Sequence, residues 1–271
     1  MPILPAPVIP APEEIFGSEN APPPPAVEEE NKPRTEKPME DYTGHFDRKE
    51  FTLNDGKEAR ELVYFLKEPQ KSFLEFRKKF PLVLVLHDTN GKAPAASHLI
   101  FKEMPKNYPA FIVVPVLPKG MTWAVPVRKH PSTFVFAYLK QHLNDAVELV
   151  AQLSKDYPVD KRRIYVVGCG EGGYGAFGAA LKYSDIFAAA APINGGWAQA
   201  DAPLMTKMPL FVLHSKKNRS FLPRISRNLS FYIQQFGGNI SYIEVPDDDH
   251  DCDDDRFYTP ALWEWMFSQH R

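Results

Sequence analysis

Apolar residues fall along this chain in two alternating rhythms. Short, nearly unbroken apolar runs occupy 62–65, 82–86, 111–116, 163–167, 187–190, 210–213 and 240–245. Their length, and the valine, isoleucine and aromatic residues in many of them, predict strands of a sheet buried on both faces. Between the runs the spacing changes to threes and fours. Leu139, Leu143, Ala146, Val147, Val150 and Leu153 line one face of a helix. Residues 173–181, 222–236 and 260–270 predict further helices, the last opening on Pro260 at a first-turn position. Strand alternating with helix predicts a mostly parallel, doubly wound sheet. Asn54-Asp55-Gly56 separates two early strand candidates and predicts a hairpin, which would make the first strands antiparallel.

Composition divides the chain. The first 40 residues hold eleven prolines, among them Pro22-Pro23-Pro24-Pro25, and an acidic run at Glu28-Glu29-Glu30. Such a segment buries too little apolar surface to offset chain entropy, so 1–42 is expected to be a disordered tail and 43–271 one domain. The tail reads as a spacer or as a docking segment for a protein partner. A formal charge of −2 gives no electrostatic reason for nucleic acid or an anionic membrane. No run approaches the roughly 18 apolar residues of a membrane span. The start lacks the basic end and apolar stretch of a secretory signal, and both a cytoplasmic and a mature secreted form stay open. Two cysteines, Cys169 and Cys252, match no zinc-ligand spacing. No cofactor is expected.

One stretch carries candidate chemistry. Residues 163–175, RIYVVGCGEGGYG, read as an apolar strand, a glycine turn and a helix start. This is the layout of a nucleophile elbow, G-x-S-x-G, with the serine at the tip. Here the tip is Gly170, which has nothing with which to attack. The turn needs a positive φ that glycine adopts without a Cβ penalty, so the residue still serves the backbone.

With that motif, the chain resembles the α/β-hydrolase superfamily over residues 43–271, and within it the polyhydroxybutyrate-depolymerase-like and feruloyl-esterase-like "predicted peptidase" esterases. Residues 81–87 resemble the strand and oxyanion loop, 163–175 the nucleophile strand and elbow, 209–214 the strand before the catalytic acid, and 245–250 the histidine loop. Trp263-Glu264-Trp265 marks the terminal helix. The resemblance implies an α/β-hydrolase fold: a sheet of about eight strands with helices on both faces. Carried over residue by residue, the nucleophile position is Gly170 and the acid position is Asn218. The family's His-Gly has become His87-Asp88, and only His250 matches.

The three departures disfavour one reaction. Asn218 carries no charge for an imidazolium, an exchange that costs about 10⁴ in a serine-protease triad. Losing the nucleophile costs on the order of 10⁶. Asp88 would set a carboxylate where an oxyanion should form. Glu171 follows the tip; its N–H is the family's oxyanion donor, and its carboxylate is a candidate base for water. Cys169 reads as a small buried hydrophobe, and a redox link to Cys252 requires a proximity that sequence does not show. Trp123 is either a ligand wall or a loop anchor. Arg128, Lys129 and His130 would face an anionic ligand or solvent. The acid-rich stretch 247–255 around His250 lacks EF-hand spacing and reads as a solvated loop favouring protonated histidine, with no metal site expected. Three functions follow as expectations: a hydrolase-like protein without serine-hydrolase activity that binds a small molecule or a partner, an ester or acyl hydrolase with altered residues, or a scaffold acting through its tail.

Overall fold

A computed structural model describes residues 42–54, 59–69, 78–100, 104–118, 120–124, 142–246, 252–253 and 255–271. The proline-rich tail 1–41, Arg128, Lys129, His130 and the acidic residues 247–251 with His250 lie outside the described residues.

Eight strands form one sheet: β1 (Asp47–Asn54), β2 (Ala59–Lys67), β3 (Phe80–Leu86), β4 (Phe111–Pro115), β5 (Val159–Cys169), β6 (Ala189–Ile193), β7 (Leu210–Ser215) and β8 (Ile240–Val245). Their spatial order is β1-β2-β4-β3-β5-β6-β7-β8. β1 pairs with β2, and β2 with β4, antiparallel; every later pairing is parallel. The doubly wound, mostly parallel sheet expected from the sequence is present, and the early strands run antiparallel as the Asn-Asp-Gly turn implied.

Side chains alternate across the central strands as the pleat demands. Leu82, Leu84, Leu86 and Val166 face a core layer with helices α3 (Leu143–Asp156), α4 (Glu171–Lys182) and α5 (Pro223–Gln235). Val83, Val85, Tyr165 and Val167 face the other layer, with α1 (Pro94–Ile100) and α6 (Pro260–Ser268). A strand sandwiched in this way has no solvent face, which is why β3 and β4 read as continuous apolar runs. Between α1 and the next strand lies α2 (Met104–Asn107). The helix expected from Leu139 begins, among the described residues, at Leu143. α1 had no sequence forecast: its seven residues are too short for a helical period to stand out.

The sheet's centre sets up the site. β3 and β5 are neighbours in register from Leu82↔Ile164 to Leu86↔Gly168. Their carboxyl ends are therefore level, and the segments that follow, one beginning His87-Asp88 and the other at Gly170, emerge side by side. α4 leaves directly over them. Gly172 permits this approach, since a Cβ there would lie 1.9 Å from the carbonyl oxygen of Leu86.

Candidate functional site

The strand–turn–helix at 159–182 has the backbone of an elbow. Gly170 sits at φ 60°, ψ −118°, between the end of β5 and the first turn of α4. Its N–H donates to the Ile193 carbonyl at 2.9 Å, and its carbonyl accepts from Gly173 N–H at 2.9 Å. For a residue with a Cβ this conformation costs on the order of 1–3 kcal/mol; glycine avoids that cost.

The space ahead of Gly170 is filled by Asp88. A Cβ on Gly170 would lie 2.5 Å from Asp88 Oδ1 and 2.6 Å from its Cγ. The same Oδ1 accepts the backbone N–H of Glu171 at 3.0 Å and that of Thr89 at 2.8 Å. Two N–H groups converging beside an elbow tip, one at the start of a helix, form a site for negative charge. Here the protein's own carboxylate occupies it. Asp88 is buried, 6% exposed, and its loop is closed by Gly91 N–H on the Asp88 carbonyl at 2.9 Å.

His87 and Trp123 hold that loop from behind. Leu117 N–H donates to His87 Nε2 at 2.8 Å, so the ring proton lies on Nδ1, which donates to the Asp88 carbonyl at 2.6 Å. Burial lowers the His87 pKa, and the ring is neutral in this arrangement. Trp123 is fully buried; its Nε1–H donates to the His87 carbonyl at 2.9 Å, and its ring meets the His87 ring edge-on. Trp123 thus packs and hydrogen-bonds against the residue that opens the loop after β3.

Glu171 turns its carboxylate toward the same anchor. Oε1 accepts the Thr122 hydroxyl and the Trp123 N–H. Burial, opposed by the Trp123 N–H and helped by the charge of Asp88, pushes its carboxyl pKa up to about 7. Nearby Tyr174 is pushed up to about 12, by burial and then by the Glu171 charge.

Asn218 is buried beyond β7, where its Oδ1 accepts the N–H groups of Ser220 and Phe221 at 3.0 and 2.8 Å, an amide organising its own turn. His214 is also buried. Its Nε2–H donates to the Phe221 carbonyl at 2.7 Å, which leaves Nδ1 to accept from the Ser226 hydroxyl at 2.7 Å. Both residues of this serine–histidine pair have no exposed surface, so the pair serves packing. His250, the one expected site residue that matched, lies outside the described residues.

Cys169 is more than the small buried hydrophobe expected from the sequence. It is buried, but joined to Cys252 by a disulfide spanning 83 positions. The bond ties the residue before the elbow tip to Cys252, two positions after His250 in the sequence. No local pattern announces it; only the fold brings 169 and 252 together. Cys252 and Asp88 line a cleft of about 370 Å³ with Thr89, Asn90, Lys92 and Phe221. Lys92 and Asp253 pair across it. Among the described residues, no group of three His, Cys, Asp or Glu could hold a metal ion.

The fold has counterparts among solved structures. A thermostable esterase superposes with a TM-score of 0.72 at 24% identity, covering 83% of this chain and 64% of that one. An acylaminoacyl peptidase from Pyrococcus horikoshii superposes at 0.58 with 16% identity, covering 83% of this chain and 43% of its own. A fluorophosphonate-binding serine hydrolase from Staphylococcus aureus gives 0.55 at 14% identity, covering 82% of this chain and 99% of its own. This chain has the α/β-hydrolase fold. It spans about two thirds of the esterase and less than half of the peptidase. No protein-family model and no curated protein matches the sequence. At these identities the hydrolase likeness is one of fold, and the chemistry rests on the site itself. Among the described residues, no helix is long and apolar enough to cross a membrane.

Proposed function

We propose that this α/β-hydrolase-fold protein no longer works as a serine hydrolase and uses its cleft to bind a small molecule or a partner. The observation that carries the reading is the Asp88 carboxylate at the elbow. It lies in the space a nucleophile's side chain would need, on the N–H groups that would stabilise an oxyanion. An acyl substrate would have to displace a charged, hydrogen-bonded group before its carbonyl reached those donors. Gly170 then offers no attacking atom and Asn218 no carboxylate. Loss of one oxyanion donor alone typically costs about 10²–10³ in turnover. The test is hydrolysis of an activated ester such as p-nitrophenyl acetate. The expected rate does not exceed that of the unfolded chain; turnover that depends on the folded protein overturns the reading.

Glu171 supports a second reading, an ester or acyl hydrolase with altered residues. A buried carboxyl with a pKa of about 7 matches a general base for water at neutral pH. Under it, ester turnover would rise as pH passes upward through about 7 and vanish in Glu171→Gln. Turnover indifferent to that substitution removes it.

A further inference from the structure

The end of the sheet remote from the cleft gathers positive charge. Lys79 precedes β3, and Lys161, Arg162 and Arg163 lie early in β5; the strands meet there because Phe80 pairs with Val159. Arg163 reaches the Lys79 carbonyl at 3.4 Å. After α6 the chain returns to add Arg271, whose N–H donates to the Arg162 carbonyl at 3.0 Å and whose guanidinium donates to the Lys161 carbonyl at 2.7 Å. Lys79, Lys161, Arg162 and Arg271 are exposed. Asp160 lies among them, bound by the Arg163 guanidinium at 2.8 Å and the Arg162 N–H at 3.0 Å. Burial raises its pKa, but Arg163 and Arg162 together hold the carboxyl below its ordinary value.

The sequence supplies a complement. Residues 13–30 carry Glu13, Glu14, Glu19, Glu28, Glu29 and Glu30, and no lysine, arginine or aspartate. The rest of the chain holds all 32 basic residues and 28 of the 34 acidic ones, a formal charge of +4. In the connecting segment 31–41, Lys32, Arg34 and Lys37 balance Glu36, Glu40 and Asp41. That segment joins the domain at the basic end. Across successive strands Asp47 faces Leu66, Lys67 faces Ile112, Leu82 faces Phe111 and Phe80 faces Val159, so β1 starts where β3 and β5 start. A line of contacts leads on from there. His45 and Tyr108 share a cavity of about 160 Å³, and Tyr108 stacks on Phe267 of α6. Phe267 meets Tyr165, whose hydroxyl donates to the Gln269 carbonyl, two residues before Arg271. Four strand spacings, about 19 Å, separate β1 from β5. The eleven residues 31–41 can span about 35 Å.

We propose that residues 13–30 dock on this basic end of their own domain, their glutamates against Lys79, Lys161, Arg162, Arg163 and Arg271. Exposed ion pairs are individually weak, worth about 1 kcal/mol or less. A short tether offsets that by presenting the segment at about millimolar effective concentration, an advantage no free partner has. The cleft lies at the opposite ends of the same strands, so docking leaves it open, and the inference does not depend on the reading of that cleft.

The experiment places a nitroxide on Ser18→Cys in the full chain. Both native cysteines are held in the disulfide, so the new thiol takes the label. Amide relaxation is then read by NMR. The proposal expects broadening centred on 79, 161–163 and 271, with Thr89, Asn90 and Ser220 at the cleft unaffected. In about 1 M sodium chloride, where charge is screened beyond about 3 Å, the effect should fall about tenfold. Glu13→Gln, Glu14→Gln, Glu28→Gln, Glu29→Gln and Glu30→Gln together should produce the same loss while altering no residue of 43–271. Lys79→Glu with Lys161→Glu should produce it from the other side. Broadening that is absent, spread evenly over the domain, or unmoved by salt or by either set of substitutions overturns the proposal. Mixing spin-labelled chain with isotope-enriched chain that carries no label gives the last control. Broadening there as strong as within one chain would assign the surface to the tail of a second copy and overturn docking within the chain.

Discussion

The carboxylate of Asp88 and the bare Cα of Gly170 share one space. Built on Gly170, a Cβ would lie within 3 Å of three carboxylate atoms of Asp88. The two positions are 82 apart in sequence but adjacent because β3 and β5 end level. The absence of a side chain at one is what admits the side chain of the other.

That relationship predicts coupling. Gly170→Ser should cost about 3 kcal/mol or more, from a strained positive φ and the displaced carboxylate. Asp88→Ala should cost about 1–3 kcal/mol, because two N–H groups lose their acceptor. The double variant should be more stable than the sum of the two losses by about 1–2 kcal/mol. Urea denaturation of the four proteins measures this, and strict additivity would deny the shared space.

Much of this was legible in the sequence, for identifiable reasons. The continuous apolar strands could only suit a sheet covered on both faces, and the Gly-rich turn after 163–167 marked an elbow because the backbone needs positive φ at its tip. Asp88 was legible as a misplaced charge, though not as the occupant of the site, since that depends on the register of two strands. The Cys169–Cys252 bond was hidden by its 83-residue span. Trp123 left two readings open in the sequence; its burial and its bond to the His87 carbonyl come only from the fold, and the choice between the readings rests on the variants below.

The anchoring of Trp123 gives the next expectation. Trp123→Phe should lose the hydrogen bond to His87 and cost about 1–2 kcal/mol. Trp123→Ala should cost about 3–5 kcal/mol, the range for emptying a large buried aromatic site. Thermal unfolding checks both. Loss of ligand binding without loss of stability would make the ring a ligand wall instead.

Glu171 should make stability fall with rising pH. Its folded pKa, about 7, lies above the ordinary carboxyl value of 4.5. Its contribution is fully present below about 4.5 and is lost as pH rises through about 7. Glu171→Gln should flatten the stability profile across that window. An unchanged slope in urea midpoints from pH 5 to 8 would contradict the assignment.

Breaking the disulfide should lower stability by about 4–5 kcal/mol if the entropy of closing a loop of this length dominates. Guanidinium unfolding of the native chain beside C169S/C252S gives the value. A difference below about 1 kcal/mol would show that the bond adds nothing to a fold already held by its core.

The central claim is that the elbow holds no working nucleophile and that its anion site is already filled. Labelling with a fluorophosphonate tests it most directly, on the native chain beside a variant carrying Asp88→Ala, Gly170→Ser and Asn218→Asp. The account predicts no label on the native protein and label at position 170 of the variant. A native chain that takes the label would contradict it.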